Sequence, residues 1–287
     1  MHRLFHSLAA LLVVFSLTVT TTAGANTVEP PVYRFSPVNQ WDISKTAAYW
    51  NPIIQYVSEK SGVKLELKIG RTSADTTAYV LAQEVEFVFS NHLFSPDREK
   101  LGWRVFGRRM GPALYAQIAV PVESPIRKLE ELNGTDVVYA GPEAFIGYRV
   151  VHGHLLSSGV QVNPIFAGNQ NAAFSQLFAG RAKAVGSNSA LIDGYEERAG
   201  KKMFRVLWTS EPYLDLALMA SSKVSDKVQK AVASAFLGMH KDPVGLKILK
   251  NASEVVGLSE DQYFVAAKDA DYAAYRRFYQ SAPVAVR

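Results

Sequence analysis

Val137-Val138-Tyr139-Ala140-Gly141-Pro142-Glu143-Ala144-Phe145-Ile146-Gly147-Tyr148 is a β-branched run that stops at Gly-Pro and then takes up helical periodicity. Downstream, Tyr148, Val151, Leu155 and Leu156 recur at i, i+3, i+7 and i+8, one apolar face of a helix. Pro142 suits the first turn of that helix, where its missing N–H would have had no intrahelical partner. A strand running into a helix N-terminus presents free N–H groups, and α/β proteins commonly hold ligands there. The stretch therefore predicts a binding loop. Its side chains conflict with an anion site: Glu143 brings a negative charge, and Ala144, Phe145 and Ile146 bring no hydroxyl.

Outward from this loop, strand-like and helix-like segments alternate along nearly the whole chain, which predicts α/β architecture with largely parallel sheets. Strands are expected at 32–38, 64–69, 86–89 and 114–120. Helices are expected around Trp50 to Val57, closed by Gly62, and over 76–82. The pattern then repeats, with strands at 136–140, 164–166, 182–185 and 205–208. Helices from Phe145, over Phe174 to Phe178 and over 191–197 separate them. One more strand at 218–221 precedes helices at 228–239, 244–249 and 261–279. Two α/β units, the second flanked by pieces of the first, predict a bilobed protein whose chain crosses near Ala119 and Ala217. The expected boundaries are a signal segment 1–25, a first lobe 26–118, a second lobe 119–216, and a return 217–287 with C-terminal helices. Such a protein carries its cleft between the lobes and closes about a hinge.

Met1-His2-Arg3, an apolar block from Leu8 to Leu17 and the small residues Ala23-Gly24-Ala25 have the order of a secretory signal peptide. The block is too short to span a bilayer, so cleavage after Ala25 and export to the periplasm are expected. The 287 residues include no cysteine, which excludes a lipoprotein anchor, disulfides and thiolate metal sites together. Lys and Arg exceed Asp and Glu by a formal +5, but they are scattered. The densest group, Arg104, Arg108 and Arg109, reads as a solvated strand end, so no nucleic-acid partner is expected. No nucleophile elbow, P-loop or dinucleotide fingerprint occurs. His152 and His154, two apart on a helix, point to different faces and cannot share a metal. No catalytic residue, metal or cofactor is therefore expected. The stripe Tyr272, Tyr275, Phe278 and Tyr279 reads as packing against the first lobe.

Polar, uncharged residues recur at strand ends: Ser90, Asn91 and His92 after 86–89, Asn169-Gln170-Asn171 after 164–166, and Ser187, Asn188 and Ser189 after 182–185. Their repeated position marks them as cleft-facing, with Asn171 also suited to cap the Phe174 helix. Several ordered elements complete the pattern: Trp50-Asn51-Pro52-Ile53-Ile54-Gln55-Tyr56 before Gly62-Val63-Lys64-Leu65, Phe166-Ala167-Gly168, Leu207-Trp208-Thr209-Ser210-Glu211-Pro212-Tyr213, and Ala235-Phe236-Leu237-Gly238-Met239-His240-Lys241-Asp242-Pro243. With Pro142 to Tyr148, they make the chain resemble the PhnD-like periplasmic proteins of phosphate/phosphite/phosphonate-type ABC transporters. The resemblance implies a type II clamshell, two mixed sheets flanked by helices, with no catalysis and delivery of a solute to a membrane partner. It also locates departures. Where the family carries Ser-Thr-Ser, this chain has Ala144, Phe145 and Ile146. Gln170 stands for a histidine, Ser90 and Ser73 for aromatics, and Asp215, after Tyr213, for a family acid.

Burying a tetrahedral oxyanion beside Glu143 without those hydroxyls costs several kcal/mol. The expectation is therefore a monomer that captures a largely apolar ligand, lipid-like, sterol-like or an aromatic organic acid, and passes it to an inner-membrane transporter. Two alternatives stay open: a phosphonate-, phosphite- or phosphate-binding component of an ABC importer, and a periplasmic sensor for a receptor.

Overall fold

The computed structural model describes residues 30–258 and 262–287, so the expected signal segment lies outside the described residues. The first pass of the chain runs β1 (Tyr33–Pro37), α1 (Ile43–Ser61), β2 (Leu65–Leu67), α2 (Ser73–Leu81), β3 (Phe87–Ser90), α3 (Pro96–Glu99) and β4 (Arg104–Arg109). A second set follows: β5 (Leu114–Pro121), β6 (Asp136–Tyr139), a wide π-type turn Phe145–Val150 continuing as α4 (Val151–Ser157), β7 (Asn163–Phe166), α5 (Gln170–Phe178), β8 (Ala184–Asn188), α6 (Ser189–Ala199) and β9 (Phe204–Tyr213). The chain closes with β10 (Ala217–Ala220), α7 (Asp226–Gly238), α8 (Pro243–Val256), β11 (Phe264–Ala266) and α9 (Ala273–Ser281).

Two mixed sheets result. The first has the order β11-β4-β10-β3-β1-β2 and the second β7-β6-β8-β5-β9. β1 lies parallel to β2 and β3, and β6 parallel to β7 and β8, while β10 and β5 enter their sheets antiparallel. The chain crosses between sheets through residues 110–113 and again through 214–216. The first crossing precedes the position expected near Ala119, because all of 114–121 pairs with β8 and β9. The short polar-to-Pro break at Gly111-Pro112 is the punctuation that marks it.

Local chemistry sets the element ends. The Asp42 side chain accepts from Lys45 N at 2.9 Å to start α1, and Gly62, at φ +67, ends it. Thr72 and Asp75 bond each other's backbone N–H groups to start α2. The first sheet buries Phe35, Phe87, Phe89 and Leu218 against Trp50 and Phe236, and the second packs Val138 and Val185 on Phe174. A further cluster joins the lobes, running from Val88 and Phe94 through Tyr272 and Tyr275 to Phe145 and Val137.

That cluster corrects the reading of the C-terminal aromatic stripe. Tyr272 stacks on Phe94 of the first lobe at 4.7 Å and Tyr275 lies 5.1 Å from the same ring, but Tyr275, Phe278 and Tyr279 also pack on Phe145 of the second. Tyr272 and Tyr275 also donate their hydroxyls to the carbonyls of Asp215 and Leu214, in the second crossing. The helix expected over 261–279 is broken. Phe264–Ala266 pairs antiparallel with β4, which leaves α9 to begin only at Ala273. Three residues suffice because they close the edge of an existing sheet.

Candidate functional site

Five strands end at one cleft. β1 and β3 deliver Asn39, Gln40, Asn91 and His92 from the first sheet; β6, β7 and β8 deliver Ala144 to Gly147, Gln170 and Asn188 from the second. Between them lies a cavity of about 70 Å³, walled on its apolar side by Leu114, Ile146, Leu191 and Leu216. It shares the walls Gln40, Leu114, Asn188 and Leu191 with a chamber of about 330 Å³ that also borders Arg109 and Asp215. The first N–H groups of the turn at Phe145, of α5 at Gln170 and of α6 at Ser189 have no intrahelical acceptor and give this end a positive potential without a formal charge.

Close packing holds the donors. Gly186 is needed because a Cβ there would strike Gly147 O and the Tyr139 ring, so the wide turn can lie directly on β8. Asn169 accepts from Ala172 N at 2.9 Å and is the cap of α5, the role expected of Asn171; Gln170 is thereby the first helical residue. Gln170 is 4% exposed and its Nε2 has no partner. Asn39 Nδ2 donates to Gly70 O at 2.8 Å while its Oδ1 accepts from Thr76 Oγ1, which fixes the loop after β1. His92 Nδ1 lies 2.8 Å from Thr77 Oγ1. Burial pushes the His92 ring down to about 3, helped by Arg98 and Arg149 and opposed by Glu143, so it is neutral at physiological pH.

Of the residues singled out from sequence, Asn91, His92, Ala144, Phe145, Ile146, Gln170 and Asn188 border the small cavity. Phe145 does so from within the aromatic core. It is 1% exposed, and its ring lies 4.3 Å from Tyr275, 5.0 Å from Phe278 and 5.5 Å from both Tyr213 and Tyr279. Tyr213 is likewise packed there, its hydroxyl pushed up to about 12 by burial. Ser90 lies beneath the site, its Oγ accepting from His92 N at 3.1 Å. Ser73 opens α2.

The charged candidates are committed elsewhere. Glu143 pairs with Arg98, from α3 of the first lobe, and with Arg149 at 3.4 Å. Burial alone would raise its carboxyl, but the Arg98 hydrogen bond and the charges of Arg98 and Arg149 outweigh that and lower it. Asp215 Oδ2 accepts from Arg109 Nε at 2.8 Å, and Arg109 Nη2 donates to Gln40 at 3.1 Å. Arg109 is therefore a buried ion-pair partner at the end of β4, not a solvated strand end; Arg104 pairs with Asp226 at 2.8 Å at the other end of the strand.

His152 and His154 also part company: His152 lies 3.3 Å from Tyr139 OH, and His154 stacks on Trp208 at 3.9 Å. Among the described residues no cluster of three metal-ligating side chains occurs, and no helix is long and apolar enough to cross a membrane. Sequence reasoning missed Asn39 and Gln40. They follow the first strand as Asn91 and His92 follow the third, so the same strand-end rule would have found them.

A profile of the family described as ABC transporter, phosphonate, periplasmic substrate-binding protein matches residues 35–272. Among solved structures, the binding-protein component of an ABC phosphonate transporter from Pseudomonas aeruginosa superposes with a TM-score of 0.71 at 15% identity, over 88% of this chain and 87% of that one. PhnD1 from Prochlorococcus marinus, in complex with methylphosphonate, gives 0.72 at 14% identity, over 87% and 97%. A Xanthomonas citri protein bound to chloride ion gives 0.69 at 16% identity, over 87% and 96%. No curated protein matches the chain.

Proposed function

The chain belongs to the family of periplasmic substrate-binding proteins of phosphonate-type ABC transporters, and from that premise we propose that its solute is a small organic acid with a short apolar body. The observation that carries the proposal is Gln170 Nε2, a buried donor without a partner at the start of α5 and at the wall of the cavity. A buried donor costs about 1–3 kcal/mol while unpaired, so an acceptor on the solute recovers that cost on binding. The free N–H groups of the three helix starts offer further donors to a carboxylate. Leu114, Ile146, Leu191 and Leu216 receive the apolar part.

Two features disfavour the other ligands considered. Each guanidinium nearest the cleft already faces a carboxylate, Arg98 and Arg149 at Glu143 and Arg109 at Asp215, so a dianion would compete with those carboxylates for its cations. A lipid or sterol is too large. An apolar cavity of about 150 Å³ just holds benzene, and the cavity here is about 70 Å³ with 330 Å³ behind it. A phosphonate head remains the second reading, favoured by the family match and by the converging helix starts.

Calorimetric titration of protein lacking 1–25 against short aliphatic carboxylates, methylphosphonate, phosphate and a sterol tests the proposal. The expected result is tightest binding among the carboxylates, with methylphosphonate at least tenfold weaker. Methylphosphonate or phosphate as the tightest ligand would overturn the organic-acid assignment, and sterol binding would overturn the size argument.

A further inference from the structure

Beside the 330 Å³ chamber lies a groove of about 510 Å³, and Trp41 and Gly257 wall both spaces. The two sides of the groove come from different lobes. Lys45 on α1 and Glu254 and Val255 on α8 belong to the first, while Arg198 at the end of α6 and Lys201 just beyond it belong to the second. Three cations against one carboxylate leave it basic. Lys202 next door is held by Glu196 at 2.6 Å, but Lys45, Arg198 and Lys201 make no ion pair among the described residues.

Arg198 crosses the seam. Its Nη1 lies 3.0 Å from where a Cβ on residue 257 would stand, so the glycine at the end of α8, at φ +70, leaves the slot that the guanidinium occupies. The floor beside it is apolar, with Trp41 buried and Val255 51% exposed. A small anion gains little at such a rim, because each solvent-exposed ion pair is weak. A chain carrying several carboxylates and an apolar side chain would engage all three cations and the floor together.

We propose that this groove docks an acidic segment of the protein's membrane partner through cations from both of its walls. The identity of the partner rests on the transporter reading; the groove does not depend on the solute.

The test is fluorescence anisotropy of a labelled hexapeptide of glutamate and leucine against the protein lacking 1–25. Saturable binding at low salt should weaken about tenfold or more at roughly 0.3 M salt, where charges are screened beyond a few ångströms. K45E, in one wall, and R198E/K201E, in the other, should each weaken binding by about fivefold or more, whereas K223E/K227E/K230E, on and just before α7, should change it less than about twofold. Gln170→Ala should leave the peptide affinity unchanged, which separates failure of the groove from failure of the solute site. Equal loss in the α7 control, loss from only one wall, or tighter binding of free tripolyphosphate at the groove than of the peptide would each overturn the proposal.

Discussion

Replacing Phe145 by alanine should act on stability and not on solute affinity. The ring is 1% exposed and touches four aromatic side chains from α9 and the end of β9, so truncation leaves a cavity at the junction of the lobes. Phe→Ala in a core costs about 3–5 kcal/mol, of which roughly 0.5–1.5 kcal/mol belongs to the stack on Tyr275. At about 2–4 °C per kcal/mol for a chain of this size, the melting temperature should fall by roughly 6–20 °C. A double-mutant cycle with Tyr275→Leu isolates the stack, with a coupling of about 0.5–1.5 kcal/mol expected. Solute titration well below the lowered transition should give an affinity close to that of the parent. A loss of less than about 1 kcal/mol in stability together with a tenfold or greater loss of affinity would refute the reasoning and place the ring against the ligand.

Three further outcomes follow from the packing and the charges. His92 is buried neutral with its pKa lowered, so the unfolded chain binds a proton that the folded one does not; stability should fall as pH drops below about 6.5, with a slope approaching 1.4 kcal/mol per unit. His92→Gln should flatten urea-midpoint curves between pH 6 and 4, and an unchanged slope would contradict the assignment. Glu143 has the same sign in a more acidic window: its lowered pKa contributes stability above the usual glutamate range that is lost as pH falls through the folded value. Glu143→Gln should therefore cost about 1–3 kcal/mol at pH 7 and progressively less in acid, measured by chemical denaturation; a deficit independent of pH would count against the ion pairs. Gly186→Ala should destabilise by about 1–3 kcal/mol or more, because backbone and a buried ring must shift to admit the methyl group; a neutral effect on thermal melting would mean that the turn does not lie on β8 as described.

The two-sheet architecture was legible because hydrophobic period and turn residues agree over most elements: Asp42 and Gly62 bracket α1, and Gly141-Pro142 separates β6 from the turn after it. The first crossing was misplaced because β5 reads as one strand from either lobe, and only its partners decide its sheet. Arg109 escaped for a related reason. Its carboxylate partner, Asp215, lies in the second crossing, 106 residues further along the chain, and nothing local to Arg104-Val105-Phe106-Gly107-Arg108-Arg109 distinguishes a buried guanidinium from a solvated one. The loop that carries Phe145 faces the cleft, and the residue borders the cavity, but the packing of its ring on α9 is a contact across well over a hundred residues of chain that no local pattern signals. The polar strand ends needed no long-range knowledge, since position after a parallel strand already selects the cleft.

The central claim, that a solute acceptor pairs with the orphaned amide of Gln170, is tested most directly by titrating protein lacking 1–25 and its Gln170→Ala variant with the tightest ligand of the panel in the same calorimeter. Loss of one donor to a charged acceptor should cost about 1.5–3 kcal/mol, roughly 10- to 150-fold in affinity, while the unliganded variant melts at or above the parent temperature because a buried unpaired group has been removed. Equal affinity in the two proteins would contradict the claim.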